Sequence, residues 1–377
     1  MKRYLYEQIR QDLQKKLVVL TGPRQIGKTT LSQQLMEALP DSQYLNFDVL
    51  PHRLVINAQQ WRQSAPLLIF DEIHKMQDWK TWLKGVFDGR AAQQQVLVTG
   101  SGHMETFRQG GDSLAGRYFR LRLHPLSVRE WVEAQRVSPQ LVLNHLLKRG
   151  GFPEPALADN DTEADRWRSS YFNDLIREDV LEFSRVQEIN TMRLFAEMLR
   201  SHVGSPLSLA SIARDLSVSP TTLARYLEIL ESLFIVFFVR PWHYNIARAI
   251  LKSPKVYFYD TGLVLGDEGI RFENLVACHL LKKVQWQQDV AGETVNLHYI
   301  RTKDDAEVDF VLSQAGSITD LIECKLHATS SHKPLHRFSA QWPLAKAIQL
   351  VKECSNEADI QTVQVRDAAN WLNALEV

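Results

Sequence analysis

The chain is poor in cysteine. Cys278, Cys324 and Cys354 are the three among 377 residues, too few and too scattered for a disulfide framework. Long hydrophobic runs are also missing. The longest strongly apolar stretch lies near Leu233 to Val239, far below the roughly 18 residues a membrane-spanning helix needs. The opening segment, MKRYLYEQIRQDLQKK, is charged throughout and has no apolar centre, so no targeting signal is expected. A reducing cytoplasm and no membrane are the expectation. An excess of one charge is missing too: Lys plus Arg and Asp plus Glu each number 44. That balance excludes a chain that coats nucleic acid by bulk charge. No internal repeat or low-complexity tract is visible.

What is there is an ordinary globular composition, 45% apolar and 23% charged, at a length that suggests two to three domains. The zero is a sum. Residues 1–187 carry 25 basic and 22 acidic side chains, 188–269 eight of each, and 270–377 eleven basic against fourteen acidic.

Short apolar runs alternate with helical patterns in the first third. Strands are expected at Lys16–Leu20, Tyr44–Phe47, Leu67–Phe70, Gln95–Thr99 and Tyr118–Leu123, with a helix over Thr29–Leu39. Such alternation predicts a parallel α/β sheet. From about Val128 to Phe183 the pattern is mostly helical, punctuated by Gly150-Gly-Phe-Pro153. Helical patterns and one strand-like run follow between Glu188 and Val239. The last part reads as α+β, with a helix near Phe272–Val284 and strands near Val295–Ile300, Glu307–Leu312 and Asp320–Lys325.

Gly22-Pro-Arg-Gln-Ile-Gly27-Lys28-Thr29 fits G-x-x-x-x-G-K-[ST] between an expected strand and an expected helix. Glycines there let backbone N–H groups cradle phosphate oxygens, and the helix N-terminus adds partial positive charge. Lys28 would reach the β- and γ-phosphates of ATP and Thr29 would ligate Mg²⁺; Thr30 is grouped with them. Leu67-Leu-Ile-Phe-Asp71-Glu72 supplies the second half. Asp71 falls at the carboxyl end of a buried strand, where α/β sheets bind ligands, and would hold Mg²⁺. Glu72 would polarise an attacking water, which points to hydrolysis. Arg117, before the fifth strand, could stabilise phosphoryl-transfer charge, in cis or across a subunit boundary, or be a structural arginine. Arg24 and Arg177 are weaker candidates for that role.

Two further constellations stand out. Ser208–Leu216 and Thr221–Glu231 read as two short helices across a tight connection, with Ser219 and Pro220 as a start signal. With the run Phe234–Val239 as a wing, this predicts a winged helix-turn-helix. If it meets DNA, Thr221, Thr222 and Arg225 would face it; the same fold also serves as a packing or protein-interaction module. In the last segment, Glu307-Val-Asp309-Phe-Val and Ile322-Glu323-Cys-Lys325 fit the Asp, Glu-x-Lys pattern of PD-(D/E)XK nucleases. Residues i and i+2 share a strand face. Asp309 and Glu323 could hold Mg²⁺, Lys325 could position water, and Glu273 could add a polar group. A solvated strand face of mixed charge fits the same spacing.

The strings GPRQIGKTT (22–30), LIFDEIHKMQDW (68–79), VLVTGSG (96–102), LAGR (114–117), LHPLSVREW (123–131), GGFPE (150–154), RYLEILESLFIV (225–236), KVYFYDTGL (255–263) and FENLV (272–276), with EVDFV and IECK, together resemble one family. It is that of prokaryotic AAA-superfamily ATPases whose carboxyl-terminal domain has long been left as of unknown function. The resemblance implies an α/β P-loop AAA+ core with a parallel sheet (1–130), a helical lid or linker (131–187), a winged helix (188–269) and an α+β PD-(D/E)XK nuclease-like domain (270–377). It carries over Gly22, Gly27, Lys28, Thr29, Asp71 and Glu72 as the nucleotide site. Ser101, with Thr99 second, stands where AAA+ ATPases place a γ-phosphate sensor, although many have Asn there. No second arginine of the lid-sensor kind can be placed. The implied activity is Mg²⁺-dependent ATP hydrolysis coupled to DNA binding and metal-dependent DNA cleavage or remodelling. The alternative is an ATP-controlled switch on a non-catalytic nuclease-like scaffold. ATP, Mg²⁺, DNA and further copies of the chain are the expected partners.

Overall fold

A computed structural model describes residues 1–100, 114–176, 186–243, 253–327 and 332–376. The chain divides into two units, Met1–His124 with Ser232–Phe234, and Pro125–Glu231 with Ile235–Val377.

In the first unit the elements run α1 (Tyr6–Leu13), β1 (Leu17–Thr21), α2 (Lys28–Glu37), β2 (Gln43–Asn46), α3 (Leu50–Ala58), β3 (Leu67–Asp71), α4 (Trp79–Gly89), β4 (Gln95–Thr99) and β5 (Tyr118–Arg122). All five expected strands form, each within two residues of its expected limits. They make one sheet in the order β2-β3-β4-β1-β5, and every pairing is parallel. Every residue of β1 and of β3 is buried, which explains why these strands read as unbroken apolar runs rather than as alternation. One apolar cluster gathers Leu17, Val19, Leu68, Phe70, Val96 and Val98 with Trp61, Trp79 and Leu83. The sheet is in register at its carboxyl edge: Asn46 pairs with Asp71, Asp71 with Thr99, and Thr99 with Leu20. Polar side chains are thereby lined up where the apolar runs stop.

The second unit begins helical, with α5 (Val128–Gln135), α6 (Pro139–Arg149), α7 (Pro153–Leu157), α8 (Asp161–Asp174), α9 (Val186–Arg200), α10 (Leu209–Asp215) and α11 (Pro220–Ser232). It continues with β6 (Val236–Pro241), β7 (Lys255–Phe258), α12 (Glu268–Trp286), β8 (Val295–Arg301), β9 (Glu307–Gln314), β10 (Ser317–His327), α13 (Lys333–Gln341), β11 (Lys346–Glu353), β12 (Ala358–Ile360), β13 (Val363–Asp367) and α14 (Ala368–Asn373). The strands form one mixed sheet in the order β12-β13-β11-β10-β9-β8-β6-β7. The apolar run expected as a wing starts two residues later than its pattern and plays two parts. β6 pairs antiparallel with β7, and its last residues, Arg240 and Pro241, pair in parallel with His298 and Tyr299 of β8. Among the described residues no helix is long and apolar enough to cross a membrane.

Candidate functional site

The phosphate loop follows β1 directly. Gly22 has φ +149°, and a Cβ there would lie 2.5 Å from the carbonyl oxygen of Leu123. Gly27 has φ +96° and immediately precedes α2. A side chain is therefore excluded at Gly22 by that contact and disfavoured at Gly27 by its left-handed backbone. Lys28 is buried, and its Nζ donates to the carbonyls of Gly22 at 3.0 Å and Pro23 at 2.7 Å. The guanidinium of buried Arg3 donates to the carbonyl of Ile26 at 2.8 Å and to that of His124, bracing the loop from the amino-terminal segment.

Asp71 ends β3 and collects donors from its neighbours. Its Oδ2 accepts from the Thr29 hydroxyl at 3.4 Å and from the Tyr44 hydroxyl. Its Oδ1 accepts from the Thr99 hydroxyl at 2.5 Å and from the backbone N–H of Glu72 at 3.1 Å. Glu72 sits in the left-handed region, φ +55°, tied to the edge by its N–H to the carbonyl of Thr99. This sharp turn is a strained setting for a non-glycine residue. Burial pushes the Glu72 carboxyl up to about 7, opposed by the Lys28 ammonium and reinforced by Asp71. His74, also buried, brings Nε2 to 3.4 Å from Glu72 Oε2.

The residues fit a Mg²⁺–nucleotide complex. A buried ammonium, an inward-turning loop before a helix N-terminus, and a hydroxyl beside a carboxylate are the donor set such a ligand needs. Of the expected nucleotide-site residues, Gly22, Gly27, Lys28, Thr29, Asp71 and Glu72 come together, with Thr99 beside them; Thr30 follows on α2. Ser101 and Arg177 lie outside the described residues. Arg117 does not join the site of its own chain. The parallel register pairs Leu17 with Tyr118 and Thr21 with Arg122, so Arg117 stands at the opposite end of the sheet from the phosphate loop. Five residues of strand separate them, about 16 Å. Its guanidinium makes a two-pronged pair with Asp88, 2.9 and 3.1 Å. Tyr44 and Arg3 were not anticipated. Tyr44 was legible only as part of a strand, and Arg3 only as one charge in a charged segment.

The second unit gathers a different cluster. The antiparallel register that pairs Phe310 with Ile322 sets Asp309 opposite Glu323. Asp309 Oδ2 accepts from the N–H of Cys324 at 2.9 Å, and Lys325 Nζ donates to Glu323 Oε1 at 2.6 Å. His332 Nδ1 lies 3.3 Å from the same oxygen. Glu273 of α12 joins from the other side, accepting from the Tyr257 hydroxyl at 2.6 Å. Burial and the nearby Asp309 raise both Glu273 and Glu323 above the ordinary carboxylate range. The sequence did not announce Lys255. Its Nζ lies 2.5 Å from Glu307, 3.2 Å from Glu273 and 3.8 Å from Asp309. A lysine at the start of a fully buried strand was the signal available, because such a charge requires carboxylates nearby. A divalent ion does not fit this arrangement. The carboxylates are held by ammonium groups, and among the described residues no group of three or more His, Cys, Asp or Glu side chains is disposed to hold a metal.

Thr221 and Arg225 are exposed on α11, and Thr222 is half-buried. The Ser219 hydroxyl accepts from the N–H of Thr222 at 3.0 Å, the cap expected from the sequence.

Residues 14–132 match the model of the family described as AAA domain. The amino-terminal part is an AAA-type, P-loop ATPase-like domain. Residues 141–270 and 268–366 match two families, each described as a domain of unknown function (DUF8612 and DUF4143). An uncharacterized protein of Mycobacterium tuberculosis is 29% identical over 80% of this chain and 68% of its own length. One of Haemophilus influenzae is 27% identical over 80% of each. Among solved structures, a Walker-type ATPase of Pyrococcus abyssi aligns with 71% of this chain and 94% of its own at 11% identity and a TM-score of 0.46. A RuvB variant of Thermotoga maritima aligns with 62% and 88% at 18% identity and 0.33.

Proposed function

We propose that the chain hydrolyses ATP with Mg²⁺ at the site built from the phosphate loop, Asp71 and Glu72. The observation that carries this reading is the convergence of Lys28, Thr29, Asp71 and Glu72 at one edge of one sheet. Lys28 binds phosphate charge with an ammonium already desolvated. Thr29 and Asp71 are the residues to hold Mg²⁺, which when bound neutralises charge on the phosphates. Thr99 and Tyr44 fix the Asp71 carboxylate by hydrogen bonds. Glu72, raised to about 7 by burial, is matched to accept a proton from water near neutral pH. Ser101 is the proposed γ-phosphate sensor, and the proposed catalytic role of Arg117 is on a neighbouring chain's nucleotide.

The second half of the proposal is coupling to DNA. We read α10, α11, β6 and β7 as a winged helix-turn-helix within 188–269, preceded by a helical segment (131–187) and followed by a nuclease-like fold (270–377). The exposed Thr221 and Arg225 support a nucleic-acid face. For the last segment, Lys255 among the carboxylates favours the reading in which this fold is a non-catalytic scaffold controlled by the ATP state.

Steady-state turnover with and without plasmid DNA tests both halves. Glu72→Gln should bind ATP and lose roughly 10²-fold or more in turnover, Lys28→Ala should lose ATP binding, and DNA should raise wild-type turnover. Unchanged turnover in Glu72→Gln removes the hydrolytic role. Hydrolysis indifferent to DNA leaves an ATP-controlled switch for a protein partner.

A further inference from the structure

Three carboxylates from two elements converge on one point in the second unit, and a lysine ammonium already occupies that point. Lys255 is 1% exposed. Its Nζ meets Glu307 Oε1 at 2.5 Å, Glu273 Oε1 at 3.2 Å and Asp309 Oδ1 at 3.8 Å. Two of these oxygens, on Glu307 and Glu273, lie within hydrogen-bond distance of the ammonium, and Asp309 adds a third negative charge from further out. The position is fixed by the strand: all four residues of β7 are buried, and Tyr257, two residues on and on the same face, bonds the same Glu273 oxygen. The remaining oxygens of the neighbouring pair are also engaged, Asp309 Oδ2 by the N–H of Cys324 and Glu323 by Lys325 and the N–H of Asp309.

A hard divalent cation would need this same space. Mg²⁺ and Mn²⁺ take six oxygens at about 2.0–2.2 Å, and the carboxylate oxygens available here are the ones that face Lys255, which holds them apart from one another. We propose that Lys255 is the resident cation of this cluster, that it closes the site to divalent metal, and that removing its ammonium opens a Mg²⁺ or Mn²⁺ site lined by Glu273, Glu307 and Asp309. This inference stands apart from the ATPase reading, since none of its residues belongs to the nucleotide site.

Removing one partner of a buried charge cluster leaves the others uncompensated and is strongly destabilising; a cation that binds only the folded form restores stability. The experiment is thermal unfolding of the full nucleotide-free chain with and without millimolar Mn²⁺, together with Mn²⁺ titration followed by EPR. Lys255→Ala should lower Tm by roughly 10 °C and recover most of it with Mn²⁺. Lys255→Met, which fills the space without charge, should fall and not recover. Wild-type protein should bind no Mn²⁺ that Asp309→Asn abolishes. If Lys255→Ala folds only when Mn²⁺ is present, the proposal is equally supported. If it does not fold under either condition, the wild-type titration decides. Two results overturn the proposal: a wild-type Mn²⁺ site lost in Asp309→Asn but kept in Asp71→Asn, or a folded Lys255→Ala chain that neither binds Mn²⁺ nor is stabilised by it.

Discussion

Arg3 lies outside every motif, yet it holds the phosphate loop. Its buried guanidinium spans two carbonyls, Ile26 in the loop and His124 after the last strand of the first sheet. Neighbouring Tyr4 adds a hydroxyl bond to the carbonyl of Arg122 at 2.6 Å. A planar fork can serve two acceptors in different directions, which a lysine cannot reproduce. Arg3→Ala leaves two carbonyls without their donor, at a cost of about 2–3 kcal/mol. The urea midpoint of the first unit should fall accordingly, and the KM for ATP should rise while the Glu72 chemistry stays in place. An unchanged midpoint and KM would mean that the loop holds its shape unaided. The nucleotide residues themselves were legible because a phosphate loop is local: Gly22 to Thr29 are contiguous, and Asp71 is marked by the apolar run before it. Arg3, Tyr44 and Lys255 were not legible, because each works through a partner tens to more than a hundred residues away in sequence.

Elements tell the same story with a different division. The five parallel strands were readable as apolar runs because both faces are covered. In the second unit, the strings most specific to the resemblance build structure rather than chemistry. Ser127 and Glu130 form a capping box at the start of α5, and Lys282 of α12 donates to both, at 2.8 and 2.6 Å. Asn274 exchanges two bonds with the backbone of Phe258, 2.8 and 3.0 Å, doing for β7 what a further strand would do. His279 completes the set: Nε2 accepts from the N–H of Val128 at 3.0 Å, and Nδ1 faces the carbonyl of Leu275 at 2.8 Å. That pair of bonds specifies the neutral ring. Burial lowers its pKa to about 4, while the unfolded value is about 6.5. Below pH 6.5 the unfolded chain therefore binds more protons than the folded one, so stability falls as pH falls. The contribution of His279 is complete above pH 6.5 and lost by about pH 4, roughly 3 kcal/mol in all. In His279→Gln, whose amide oxygen can still accept from Val128, the drop in unfolding free energy between pH 7 and pH 4 should be smaller by about that amount. An identical pH profile for both proteins would show that the ring titrates alike in the folded and unfolded chain, contrary to its burial.

At the scale of the whole chain, the charge balance and the position of Arg117 bear on the same question. Net charge is zero, so long-range attraction between copies, or to DNA, depends on local surfaces and not on bulk charge. Arg117 is the one expected catalytic residue whose assigned role depends on assembly, because the parallel register sets it about 16 Å from the phosphate loop of its own chain. Within a single chain it is a partner of Asp88, with both groups partly open to water, a solvent-screened pairing that contributes little to stability. Arg117→Ala should therefore leave ATP turnover within about twofold of wild type at concentrations where light scattering shows one chain per particle, with a barely altered urea midpoint. A role across a subunit boundary has a distinct signature. Wild-type turnover per chain would rise with protein concentration, Arg117→Ala would not follow it, and adding Lys28→Ala chains, which carry Arg117 but no working nucleotide site, would restore the missing activity. A large loss of turnover in single Arg117→Ala chains would contradict the geometry, since nothing in the register of β1 and β5 brings that guanidinium to its own nucleotide.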